Sequence, residues 1–131
     1  ITRNQLLRLL DMLERSALLR KLYPEQGNIQ SLAKPEKILF ENTNMLYALS
    51  NEIEIGTLRE TFFCNQLSLH HELTMPQRGD VLVDGKYLFE IGGHSKNYKQ
   101  ISGITDSWIV ADDIESGIGH KIPLWLFGML Y

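Results

Sequence analysis

The stretch Gly79–Lys99, GDVLVDGKYLFEIGGHSKNYK, decides the fold of this chain. Apolar residues alternate through both of its halves, and Asp84-Gly85 between them offers the chemistry of a tight turn. The stretch therefore predicts a β-hairpin. Two acidic residues interrupt it, because Asp80 stands at the head of the first strand and Glu90 lies inside the second. A buried carboxylate is costly unless it is paired, hydrogen-bonded or bound to a metal, so we expect a functional site here.

The spacing of these two acids resembles a known active site. An Asp that opens a strand, followed about ten residues later by a Glu in the next strand, resembles the PD-(D/E)xK site of restriction-endonuclease-like proteins. The resemblance implies that Asp80 and Glu90 are ligands of Mg²⁺, with Glu60 on a preceding helix as a supporting metal ligand. In such a site the metal polarises a phosphate and lowers the pKa of the attacking water.

One position departs from that pattern. The third member of Glu-x-Lys should be a lysine, and this sequence has Gly92 there. Lys96 and Lys99 follow in the next segment, and either is a candidate for the displaced catalytic amine. The alternative is a degenerate site, in which the fold is kept, the chemistry is lost, and backbone amides or Lys86 and Lys99 satisfy the acids. His94 lies between the hairpin and these lysines, close to Glu90 in sequence.

A wider part of the sequence resembles a particular family, the C-terminal domain of unknown function that follows an AAA+ ATPase module in many bacterial and archaeal ATPases. The matching pieces are KPEKILFENTNMLYAL (34–49), GTLRETFFCNQL (56–67), GDVLVDGKYLFEIGG (79–93) and KIPLWLFGMLY (121–131). The resemblance implies an upstream ATPase module as a partner and a cytoplasmic location. The sequence itself lacks G-x-x-x-x-G-K-[ST], so we expect ATP to bind outside these residues.

Strands that alternate with helices predict an α/β domain with a mixed sheet flanked by helices, and the resemblance makes that fold restriction-endonuclease-like. We assign residues 35–131 to this nuclease-like domain and residues 1–34 to an appendage that resembles part of a winged helix. Thr2 and Gln5 fit a capping box at the start of the appendage's helix. The predicted helices span residues 2–17, 44–50, 57–71 and 97–104, the last being a helix or a helical turn. The further predicted strands span residues 18–23, 37–41 and 107–111. Residues 25–33 are predicted to form a loop, and residues 124–131 a helix or a strand.

Composition is that of an ordinary globular protein with one main domain. The lone Cys64 favours a reducing compartment, and the longest apolar run, Ile122–Tyr131, is too short to span a bilayer.

The chain begins with Ile1, so we expect it to be a fragment of a longer protein. Residues 1–34 carry a net charge of +3 and residues 35–131 carry −6. An acidic body is a poor footprint for nucleic acid, whereas Arg8 and Arg15 on the first helix face either DNA phosphate or solvent.

Three functions remain open from the sequence. The first is a non-catalytic accessory domain of an AAA+ ATPase that positions a DNA or protein partner, and the glycine in place of the lysine favours it. The second is a Mg²⁺-dependent DNA nuclease that uses Asp80 and Glu90 with Lys96 or Lys99. The third is an oligomerisation or docking surface built on Leu124–Tyr131.

Overall fold

The computed structural model describes residues 1–131, apart from the side chain of Ser31. The helices are α1 (Arg3–Arg15), α2 (Ile29–Leu32), α3 (Thr43–Leu49) and α4 (Ile55–Leu67); the strands are β1 (Leu19–Leu22), β2 (Lys37–Phe40), β3 (Leu73–Thr74), β4 (Val81–Val83), β5 (Tyr87–Gly92), β6 (Ser107–Ala111) and β7 (Lys121–Pro123). Two 3₁₀ helices span Tyr98–Gln100 and Leu124–Met129. None of the helices described is long and apolar enough to cross a membrane.

A five-stranded mixed sheet, in the order β3-β4-β5-β6-β7, forms the centre of the molecule. The predicted hairpin is confirmed: β4 and β5 pair antiparallel, with Val83 opposite Tyr87. Its turn residues Asp84 and Gly85 both have positive φ, 53° and 64°, as the primed turns of hairpins require. Strands β5, β6 and β7 run parallel. The α/β class with a mixed sheet flanked by helices is therefore confirmed.

The N-terminal segment is joined to the rest of the chain by a two-stranded sheet. Thr2 and Gln5 form the predicted capping box at the start of α1, although no residue of α1 is buried. Strand β1 pairs antiparallel with β2, and Leu22 of β1 packs in the same core cluster as Leu39 of β2 and Phe63 of α4. The segments that we separated at residues 34 and 35 thus share one core.

Several predicted boundaries shift for local reasons. Residues 25–33 were expected to form a loop and instead contain the short helix α2. Helix α4 starts at Ile55 because the Glu54 carboxylate accepts hydrogen bonds from the amides of Gly56 and Thr57, which makes Glu54 the N-cap. The last predicted element, residues 124–131, contains a 3₁₀ helix, and strand β7 lies directly before it. The predicted helical segment 97–104 contains only a single 3₁₀ turn among its described residues.

The central sheet is covered on both faces. On one face Phe63 of α4 packs against Phe89 and Phe127, with ring centroids 5.1 Å and 4.8 Å apart. Burial raises the pKa of the neighbouring Cys64 thiol to about 12, as expected for a small core residue. On the other face the fully buried Ile101, which follows the first 3₁₀ helix, packs with a cluster from β4, β5 and β6. The segment between β5 and β6 therefore forms the second cover of the sheet.

Replacing Phe63 by alanine should lower the free energy of unfolding by about 3–5 kcal/mol, because it empties the centre of the larger core. Urea unfolding measures this loss. Leu69→Ala is the control, since Leu69 is 66% exposed and its truncation should change the free energy of unfolding by less than about 0.5 kcal/mol. Equal losses in the two variants would contradict the packing of α4 on the sheet.

Candidate functional site

The candidate site lies on the sheet face opposite α4. Along β5, Phe89 and Ile91 belong to the α4-side core, whereas Leu88 belongs to the cluster on the other face. Side chains alternate between faces along a strand, so Glu90 points to the face of Leu88. Its side chain is fully buried, with 0% exposure. The segment that follows β5 closes over it.

Two side chains from that segment satisfy the Glu90 carboxylate. The Lys96 ammonium lies 2.6 Å from Glu90 Oε1. With its amide nitrogen oriented toward the carboxylate, Gln100 donates to both Glu90 oxygens. Burial raises the pKa of Glu90; the hydrogen bond from Lys96 acts in the opposite direction, and the nearby charge of Asp80 adds to the rise. The pair is a buried carboxylate with a half-buried cation over it.

Asp80 is held next to Glu90 by two hydrogen bonds to the backbone of β5. Its amide donates to the carbonyl of Phe89 (2.9 Å), and its carboxylate oxygen Oδ2 accepts from the amide of Ile91 (2.7 Å). These two bonds flank Glu90 on either side along the strand. The two acids that the hairpin pattern singled out are therefore brought together, and the Asp80 carboxylate is held by a backbone donor.

Gly92 has a specific spatial role at this site. A Cβ atom added at Gly92 would lie 2.7 Å from Lys96 Cδ, 2.9 Å from Lys96 Cγ and 3.0 Å from Lys96 Cβ. Residue 92 is two positions after Glu90, so a side chain there would lie on the same face. The stem of Lys96 thus fills the space that a lysine at position 92 would occupy, and its ammonium reaches Glu90.

The other candidate residues have different surroundings. Glu60, on α4 across the sheet, is paired with Lys37 of β2 at 2.5 Å. Lys99 is exposed and makes no ion pair within the described part of the chain, and Lys86 donates to the Tyr87 hydroxyl. His94 is exposed, and its carbonyl accepts a bond from the Lys121 ammonium. Of the candidates, the structure groups Asp80, Glu90 and Lys96.

Sequence patterns did not identify two further residues that help to build the site, Gln100 and Arg59. Gln100 was not singled out because an amide in a helical turn has no distinctive pattern. Arg59 of α4 pairs with Asp112, directly after β6, at 3.0 Å, and a Cβ at Gly93 would lie 3.4 Å from its guanidinium. Arg59 thereby fixes the ends of β5 and β6 next to the site.

The side chains do not form a ready metal site. No group of three His, Cys, Asp or Glu residues is placed to hold an ion, among the side chains that the structure describes. Mg²⁺ takes oxygen ligands in near-octahedral geometry. Here the Glu90 oxygens face Lys96 and Gln100, and one Asp80 oxygen faces a backbone amide. In this arrangement the residues do not fit a bound Mg²⁺.

No protein-family model, curated protein or solved structure matches this chain. What the site does must therefore be argued from its own residues. Those residues are Asp80 and Glu90, two acids on neighbouring strands of the hairpin, and Lys96. The Lys96 side chain passes next to Gly92, and its ammonium pairs with the buried Glu90 carboxylate.

Gly92→Ala should displace Lys96 from Glu90 and lower the free energy of unfolding by about 1–3 kcal/mol, because the buried carboxylate loses its partner. Thermal and urea unfolding measure the loss. The matched test is the double variant Gly92→Ala/Lys96→Ala: with the lysine stem removed, the added methyl group should cost little beyond Lys96→Ala alone. Additive losses in the double variant would contradict the contact between the two residues.

Stability should depend on pH through Glu90. The folded state raises the pKa of Glu90. Glu90 therefore contributes fully to the free energy of unfolding when the pH is below the pKa that it has in the unfolded chain. That contribution is lost as the pH rises through the pKa that Glu90 has in the folded state. Glu90→Gln removes this titration, so the variant should gain stability relative to wild type as the pH rises from about 4, near the ordinary pKa of a glutamate, towards neutral pH. Urea unfolding across that range measures the trend. In the control Glu52→Gln, which changes an exposed residue, the free energy of unfolding should follow the same pH dependence as in wild type. The same pH dependence in Glu90→Gln as in wild type would contradict the raised pKa of Glu90.

Proposed function

We propose that this chain is a catalytically closed, nuclease-like accessory module of an AAA+ ATPase, and that it binds a DNA or protein partner for that ATPase. The observation that carries the proposal is the state of the three predicted metal ligands. Asp80 accepts a backbone amide, Glu90 is sealed beneath Lys96, and Glu60 is paired with Lys37. Each acid already has a protein partner, as a degenerate site requires.

The arrangement of elements supports the nuclease-like part of the proposal. Helix α4 precedes a three-stranded antiparallel unit, β3-β4-β5, and a 3₁₀ turn then leads to the parallel strand β6. The two acids lie at the start of β4 and near the end of β5, which are neighbours in the sheet. This is the placement that the resemblance to restriction-endonuclease-like proteins implies.

A second function, Mg²⁺-dependent cleavage of DNA, is favoured by one observation. Lys96 occupies the space of the missing lysine at position 92 and reaches Glu90. Asp80, Glu90 and Lys96 would then be the working set. For this function Lys96 and Gln100 must first leave Glu90, so that its oxygens become available to a cation.

A third function, docking through Leu124–Tyr131, has partial support. Leu124 and Phe127 are core residues, whereas Trp125, Met129 and Tyr131 are 50%, 73% and 60% exposed. An apolar groove lined in part by Leu124 and Trp125 lies beside this segment, with α3 and α4 also contributing to its walls. The exposed side chains offer a surface for a protein partner of the accessory module.

Cleavage and metal-binding assays separate the first two functions. Labelled single- and double-stranded DNA is incubated with this chain and Mg²⁺ or Mn²⁺, and the melting temperature is recorded with and without the metal. The closed site predicts no cleavage and no metal-dependent rise in melting temperature for the wild-type chain.

The contrary result is cleavage that Asp80→Asn abolishes and that the exposed control Asp106→Asn retains. That pattern would establish the nuclease and overturn the closed site. Cleavage that survives in Asp80→Asn would instead come from a contaminating enzyme, and the proposal would stand.

A further inference from the structure

The basic residues of the acidic part of the chain are unevenly placed. Residues 35–131 contain seven Lys and Arg against thirteen Asp and Glu. Four of the seven line adjoining depressions on the surface near Glu90: Arg78, Lys86, Lys96 and Lys99. We call these four residues the basic track. The net charge of this part of the chain gives no indication of such a cluster.

The depressions form a continuous path because they share residues. Gln77 and Arg78 line both the first depression, which holds Lys86, and the second. Gln100 lines both the second and the third, which holds Lys96 and Lys99. The basic track therefore runs from the β4–β5 turn to the cover of Glu90.

Most of the cations on this path form no ion pair with a described carboxylate. The Arg78 guanidinium donates to the carbonyls of Gln100 (2.9 Å) and Ser102 (3.4 Å), which are neutral acceptors. Among the described side chains, neither Arg78, Lys86 nor Lys99 forms an ion pair with a carboxylate, and Lys96 alone of the four does. Among the residues that the structure describes, Glu25, at the far end, is the one carboxylate that lines the depressions, and Asp106 adds a negative charge near Lys86.

We propose that the basic track binds the phosphodiester backbone of a nucleic acid. The inference rests on the proposed accessory role and names its partner. The cations suit the negative charge of phosphates, and the amides of Gln77 and Asn97 suit phosphate and sugar oxygens. No aromatic side chain lines these three depressions among the residues described, so the contacts read the backbone and are independent of base sequence.

The position of Lys96 links this surface to the closed site. The Lys96 side chain lines the track, and its ammonium pairs with Glu90. A phosphate bound at Lys96 competes with Glu90 for that cation. Backbone binding at this end of the track therefore weakens the contact that covers the buried carboxylate.

Fluorescence anisotropy with short labelled single-stranded and duplex DNA, in EDTA and across a salt series, tests the proposal. Four phosphate contacts predict that log K falls with log salt with a slope of about −3. The variant Arg78→Gln/Lys99→Gln should bind at least about tenfold more weakly at low salt and reduce the slope by about 1.5. The matched control Arg3→Gln/Lys34→Gln replaces two exposed cations outside the track, changes the net charge equally and should bind as wild type does.

Three results would overturn the proposal: no salt-dependent binding, an equal loss in the two double variants, or displacement of the oligonucleotide by a poly-glutamate peptide at a lower concentration than by unlabelled DNA. The last result would assign the track to an acidic protein. Unfolding curves confirm that both variants fold. Because EDTA removes divalent cations, this outcome is independent of whether the site cleaves DNA, so a failure of the track and a failure of the closed site are read separately.

Discussion

A carboxylate buried inside a β-strand must be neutralised by its surroundings, and Glu90 imposes this requirement on the centre of the fold. The neighbouring backbone cannot supply a cation, so the chain after β5 has to bring one back over the strand. Lys96 does so, and the return path is open only because Gly92 has no side chain in its way. The burial of one acid thus explains both the glycine and the conformation of the segment that follows it.

The sheet topology makes this return possible. Strand β6 is parallel to β5, so the connection between them must cross from one end of the sheet to the other over one face. Helix α4 already covers the opposite face, which leaves the Glu90 face for the crossover. The connection carries Lys96, Gln100 and Ile101, and it therefore supplies the cation, the amide and the apolar cover together.

Local patterns predicted much of this fold. Alternation and the Asp84-Gly85 turn identified the hairpin, Thr2 and Gln5 identified the first cap, and the apolar run identified β6. The choice between Lys96 and Lys99 was beyond such reasoning, because the segment after Gly92 has no periodicity that fixes where a side chain points. The position of Glu60 depends on how α4 packs, and its partner Lys37 comes from a distant strand. The restriction-endonuclease-like family and the ATPase parent stay predictions.

Net charge and charge placement lead to different expectations about partners. The sum over residues 35–131 argues against nucleic acid, but binding depends on the local field along the contact surface and is screened beyond about 10 Å at moderate ionic strength. Over that distance the nearest charges decide: three of the four track cations have no carboxylate partner among the described side chains, whereas Lys96 is paired with Glu90 and Asp106 acts on Lys86. If a phosphate there draws Lys96 away from Glu90, the uncompensated carboxylate either takes up a proton or attracts a cation from solution. The cover of Glu90 and the proposed binding surface therefore share one ammonium group, that of Lys96.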